Sequence, residues 1–332
     1  MTLSKFKTVL EPNHRPLVFP KTIVDFVDLF NTDEKCLNYI SNIKWGNGGW
    51  KCPYCHHKKF WIKQRNNIIH CVNCGYEESF IANTTMRYTK TSIRYWFMAM
   101  YLVATYKAGL SAMELYRQLN FGCYETAWTW LHKIRMAMAN PERTKLSGDI
   151  EVDETYIQTG TGEKGRKLGG EATLVVCAVE MKYNKKGYPA SGRIRLRQIP
   201  DASADSLHPF ITDNIVRGST IKTDGWRGYS GLEDYGYNHF VDVIGKPSEA
   251  SKKFPRVHRI FSNMKAWLIG THRFVSIKHM QNYLNEYTFR FNRRGNVKRV
   301  FNDLLKIAVN MPARTLKEFT EPERVYYINP EG

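Results

Sequence analysis

DIEVDETYI, residues 149–157, is the stretch on which the fold turns. Its β-branched and apolar positions predict a strand. Yet Asp153 sits in the middle of it, with apolar Ile150 and Val152 just before. An isolated carboxylate is disfavoured in a strand by propensity and by desolvation, so a strand that keeps one has a use for it. Working outward, ATLVVCAVEMKY (172–183) and GRIRLRQI (192–199) read as two more strands and 203–215 as a helix. STIKT (219–223) reads as a fourth strand, 237–243 contains a short fifth, and 257–269 and 276–290 read as helices. A second acid, Asp224, stands where the fourth strand ends and Gly225-Trp226-Arg227-Gly228 begins.

Three strands, a helix, a strand and then helices is the order of a ribonuclease H-like domain, whose first and fourth strands are adjacent. That adjacency predicts Asp153 and Asp224 side by side. Two carboxylates so placed can hold one or two Mg²⁺ ions, which activate a water or a 3′-hydroxyl and stabilise the leaving oxygen during in-line attack at phosphorus. The plainer alternatives are an edge-strand acid paired with a lysine for Asp153 and a turn-initiating Asp before Gly for Asp224. A third ligand is expected from a later helix, but VHRIFSNMKAWLIGTHR (257–273) contains no Glu. It offers Asn263, whose amide oxygen can bind a metal, and Lys265, which can offset phosphate charge. On spacing alone, a solvated Asn and a surface Lys are the better reading. Glu286 is a rival third carboxylate, with an ion pair to Arg290 one turn later as its alternative.

Upstream, Cys52-Pro-Tyr-Cys55, fifteen intervening residues and Cys71-Val-Asn-Cys74 form the two-knuckle spacing that surrounds one tetrahedral Zn²⁺ with four thiolates. The segment has too little apolar material for a core, so metal binding stands in for burial. His56, His57 and His70 flank a shell already filled by cysteines. Lys51, Lys58, Lys59, Lys63 and Arg65 lie among Trp50, Tyr54, Phe60 and Trp61, as in a DNA-contacting module, with a protein-docking face as the alternative. Cys36, Cys123 and Cys177 read as buried small hydrophobes. SIRYWFMAMYLVATYK (92–107), SAMELYRQLN (111–120) and YETAWTWLHKIRMAMA (124–139) read as helices. The last two have the length and turn of a helix-turn-helix, with Tyr124 to Arg135 as the recognition helix and a plain helical core as the alternative.

The chain has 332 residues and 42% hydrophobic content, enough for several domains and a sizeable core. Its net charge of +18 favours a polyanionic partner, nucleic acid ahead of an anionic membrane surface. With no spanning apolar run and no signal-peptide core, the expectation is a soluble intracellular protein. The fold class expected is multidomain α+β. It comprises a helical N-terminal arm (1–49), a zinc ribbon (50–90), a helix-turn-helix-like DNA-binding region (91–145), a ribonuclease H-like mixed-sheet catalytic domain (146–310) and a C-terminal tail (311–332). The loop TGTGEKGRKLGGE (159–171) is flexible by composition and basic enough to touch phosphate.

From about residue 24 to 300 the sequence resembles the insertion-sequence transposases of the IS1595 family, the ISXO-like group of DDE recombinases. The resemblance is carried by Lys44-Trp45 ahead of CPYC, then CVNC, SAMELYRQLN, TAWTWLHKIR, VDETYI, TDGWRGY, FSNMKAWLIGTH and HMQNYLNEYTFRFNRR. The family's catalytic letters are D, D, N or E, and K, so the resemblance implies catalytic roles for Asp153, Asp224, Asn263 and Lys265, and reverses the reading of Asn263 from spacing. It also implies two catalytic Mg²⁺ ions, with Mn²⁺ able to substitute, beside one structural Zn²⁺. The substrate implied is double-stranded DNA, the element's terminal inverted repeats and a target, cut at the 3′ ends and joined. Two ends held in one complex imply a homodimer or higher oligomer, in the bacterial cytoplasm and on the nucleoid when bound. One departure is IANTTM (81–86), where a Gly is expected near Asn83. A catalytically silent zinc-ribbon regulator and a structure-specific nuclease are the competing functions, and the intact aspartates weigh against the first.

Overall fold

Thr22 begins the first helix by a reciprocal cap: its hydroxyl accepts from the Asp25 amide while the Asp25 carboxylate accepts from the Thr22 amide. This computed structural model describes residues 20–63, 67–139, 143–158, 172–184, 186–243, 252–273 and 275–312; the basic loop 159–171, the start of the arm and the tail from 313 lie outside them. Helices α1 (Ile23–Leu29), α2 (Asp33–Trp45) and α3 (Ile93–Thr105) turn Phe26, Ile40, Trp96 and Phe97 into one core. Between α2 and α3 lies an antiparallel sheet of β1 (Phe60–Lys63), β2 (Ile68–Cys71) and β3 (Glu77–Ser79).

Asn83 has φ +57°, the left-handed region that Gly favours and Asn tolerates better than most residues, so the position where the family resemblance expects Gly keeps a Gly-like backbone without one. Helices α4 (Ala112–Leu119) and α5 (Tyr124–Ala137) follow. The helix read as a recognition element is largely core: Trp130 stacks on Trp96 with centroids 3.9 Å apart, and Ala127, Leu131, His132, Ile134 and Arg135 are buried. Only its first turn, with Tyr124 and Glu125, is fully open. Cys36 and Cys177 are buried as expected, but Cys123 is exposed, its thiol 3.1 Å from the Thr126 hydroxyl.

A second, mixed sheet runs in the order β6-β5-β4-β7-β8, built from β4 (Asp149–Gln158), β5 (Ala172–Tyr183), β6 (Pro189–Ile199), β7 (Thr220–Thr223) and β8 (Asn238–Val241). The first three are antiparallel; β7 is parallel to β4, and β8 to β7. Helix α6 (Ala204–Asn214) covers one face, packing Leu207, Phe210 and Ile211 on Ile150, Val152 and Val176. Helices α7 (Pro255–Trp267) and α8 (Met280–Asn292) cover the other, packing Val257, Ile260, Phe261 and Leu284 on Val175, Cys177 and Val179. Period-two alternation therefore sends Ile150 and Val152 to one layer and Glu151, Asp153 and Thr155 to the other.

The described residues divide into two compact units, one of residues 20–106, 112–138 and 296–312, the other of 107–111 and 139–295. Helix α9 (Val297–Asn310), which the sequence reading groups with the catalytic domain, packs in the first unit: Phe301 meets Phe26, Phe30, Phe97 and Tyr101 at centroid distances of 5.7–6.3 Å. No helix among the described residues is long and apolar enough to cross a membrane.

Candidate catalytic site and zinc ribbon

In the ribbon, Cys52, Cys55, Cys71 and Cys74 place their sulfurs within 4.8 Å of one another, with Cys52 to Cys74 and Cys55 to Cys71 both at 3.6 Å. Four thiolates at about 2.3 Å from a tetrahedral zinc stand about 3.8 Å apart, so the cluster fits a structural Zn²⁺. The first knuckle is shaped by a backbone pair, with Cys52 N donating to His57 O and His56 N to Cys52 O. The flanking histidines do not join the sulfurs; His70 stacks on Trp61 and bonds Glu77 at 2.8 Å. Lys51, Lys58, Lys59 and Tyr54 are exposed, while Lys63 pairs with Glu77 and Arg65 lies outside the described residues.

In the second unit, β4 and β7 pair as Asp149–Thr220, Ile150–Ile221 and Glu151–Lys222. The same register carried two residues further sets Asp153 level with Asp224. Asp153 is buried, and its pKa is pushed up to about 7, first by burial, then by the charge of Glu154, with Asp224 and Glu151 adding to it. Among the described residues no lysine or arginine ion-pairs with Asp153. An acid raised first by burial and then by its acidic neighbours, with no lysine or arginine against it, fits a divalent ion. Asp224 is half-buried, and one of its oxygens accepts from Trp226 N at 3.0 Å, so it initiates a turn directly after β7.

Glu154 points to the opposite face of the strand, accepting from the Tyr229 hydroxyl at 2.5 Å. Burial, then Asp224, raises its pKa, against that hydrogen bond.

Helix α7 faces these acids with a specific edge. Glu151, fully buried, accepts from the backbone amides of Arg256 and Val257 at 2.9 and 3.0 Å and from the Arg256 guanidinium at 2.6 Å, binding the helix N-terminus to β4. Two residues along the strand, Asp153 Oδ2 lies 3.3 Å from His258 Nε2. Two further, Thr155 Oγ1 accepts from Lys265 Nζ at 2.8 Å, and burial draws the Lys265 ammonium below the usual lysine range. At about 100° per residue, Lys265 is two turns on from His258 and on the same side, whereas Asn263 is turned about 140° away. Asn263 is exposed and makes no hydrogen bond among the described residues. The structure thus brings together Asp153, Asp224 and Lys265, but not Asn263. Glu286 is buried and paired to Arg290 at 3.3 Å, the alternative given for it above.

Sequence reasoning missed Glu151, Glu154 and His258. A signal existed for two of them: polar residues at 151, 153 and 155 mark one face of a strand otherwise buried, and His258 with Lys265 repeats at seven residues on a helix.

Against this geometry, residues 145–292 match the ISXO2-like transposase domain, which spans the whole carboxylate-bearing sheet and helices α6 to α8. Residues 31–77 match the transposase zinc-ribbon domain of the same family. The chain is an IS1595-family transposase. No match to it is found among curated proteins.

Proposed function

We propose that this transposase is catalytically active, cleaving the 3′ ends at the terminal inverted repeats of its element and joining them to target DNA. The observation that carries the reading is Asp153 within β4 and Asp224 directly after β7, the parallel strand paired with it, inside the matched domain. The strand order, with three antiparallel strands and then two parallel to the first, supports a ribonuclease H-like core. In this reading Asp153 and Asp224 hold Mg²⁺, which when bound activates the attacking water or 3′-hydroxyl and stabilises the leaving oxygen. Glu151 fixes α7 against the strand. Lys265, oriented by Thr155, supplies positive charge to the phosphate as negative charge builds on its oxygens. The exposed lysines and Tyr54 of the ribbon contact the DNA backbone, and the first turn of α5 adds to that surface. At least two chains act together, since two element ends must be cut in one complex.

Purified protein incubated with Mg²⁺ and labelled element ends gives nicked and joined products. Asp153→Ala abolishes both while DNA binding persists. Strand transfer retained by Asp153→Ala overturns the reading.

A further inference from the structure

Resting on the site reading above, we infer that the third protein ligand of the catalytic cation is His258, in place of Asn263. Three observations carry it. His258 Nε2 and Asp153 Oδ2 are 3.3 Å apart, but not aligned as a hydrogen bond, and Nε2 is a buried atom with no hydrogen-bond partner. Such a pair lacks the proton-sharing geometry that would satisfy it internally. Two atoms binding one octahedral cation in adjacent positions at about 2.1 Å lie about 3 Å apart, close to the observed separation. Second, α7 arrives with its register fixed by Glu151 at the helix N-terminus and by Thr155 at Lys265, so His258 is held over Asp153 by contacts on both sides. Third, Asn263 is on another side of the same helix, and bringing its amide to Asp153 would rotate Val257, Ile260 and Phe261 out of the core they share with Val175 and Cys177.

The ligand set then is two carboxylates and one imidazole rather than two carboxylates and an amide. Mg²⁺ strongly prefers oxygen, while imidazole nitrogen suits later divalent metals, so this set shifts preference toward Mn²⁺. His258 is a metal ligand in this account, and Lys265 keeps its place beside the phosphate.

The test is Mn²⁺ binding, followed by the loss of the free-ion paramagnetic resonance signal on titration of the full zinc-loaded chain without DNA. His258→Ala weakens binding at least tenfold, and His258→Gln, which keeps bulk and polarity, weakens it similarly. Asn263→Ala leaves it within twofold. Nitrogen hyperfine coupling on the bound Mn²⁺ is present in the wild type and absent in both His258 variants. Circular dichroism and melting of each variant check that α7 remains folded; if His258→Ala does not fold, the His258→Gln spectrum decides. Unchanged Mn²⁺ affinity and hyperfine coupling in folded His258→Gln, with Asp153→Asn abolishing binding, overturns the role of His258 alone. Unchanged binding in Asp153→Asn overturns the carboxylate site itself.

Discussion

Glu151 and Arg256 form a buried ion pair, Oε1 to Nη1 at 2.6 Å, and the other oxygen of the same carboxylate takes the first two backbone amides of the α7 region. One side chain therefore neutralises an arginine and caps a helix that would otherwise end with unsatisfied donors inside the protein. Glu151→Ala leaves both uncompensated and is expected to cost about 3–5 kcal/mol, read from denaturant unfolding. Glu151→Gln, which can still accept from the amides, should lose less. Equal and small losses for the two would show that the pair does not fix α7.

The raised pKa of Asp153 predicts a specific pH dependence. The folded state holds its proton up to about pH 7, the unfolded chain only to near 3.8, so folding takes up a proton between them. The associated destabilisation is absent below pH 4, grows as pH rises, and is complete above pH 7. Asp153→Asn removes the cost, and in metal-free buffer at pH 8 it should raise the melting temperature, with a gain on the order of a few kcal/mol. At pH 4 the two proteins should melt together; a gain of equal size at both pH values would contradict the assignment to this carboxyl.

Lys265→Ala is expected to lower the rate of strand transfer by about 10²-fold, the scale for losing one charge-stabilising group, while leaving DNA affinity within a few-fold. Asn263→Ala should leave the rate within about threefold, or under roughly 1 kcal/mol of barrier. Single-turnover rates on pre-nicked ends measure both. The reverse ranking would restore the assignment that family resemblance gives to Asn263.

Zinc removal should unfold the ribbon, because the sheet of β1 to β3 is small and its knuckles are held by the cluster at Cys52, Cys55, Cys71 and Cys74. One Zn²⁺ per chain, and cobalt substitution giving a tetrahedral thiolate spectrum that Cys71→Ser abolishes, are the expected readings. Weaker DNA binding after chelation follows if the ribbon lysines touch phosphate.

Much of this was legible in the sequence, for identifiable reasons. Cysteine spacing reports directly on one metal, and strand periodicity marked the run around Asp153 as a strand, though not the layer that the acid faces. The adjacency of β4 and β7 followed from element order. What spacing could not supply was rotation about α7. Any helix puts Asn263 and Lys265, two residues apart, on different sides, but only the packing of Ile260 and Phe261 on the sheet shows which side meets the acids. The core share of Tyr124 to Arg135 was hidden for a similar reason: the stacking of Trp130 on Trp96, 34 residues earlier, leaves no trace in local pattern. The return of α9 to the first unit rests on Phe301, whose aromatic partners lie almost the whole chain away.

That return has a consequence for the order of synthesis. Among the described residues, the ribbon-bearing unit is closed by 296–312, which leave the ribosome after the carboxylate-bearing stretch that ends at 295. Phe26, Phe30, Phe97 and Tyr101 must therefore wait, their rings without Phe301, while some two hundred residues are added. A chain terminated just before Asn296 would possess every residue of the candidate catalytic site and still lack a finished partner unit, so the nascent protein is furnished for chemistry before its other unit is complete.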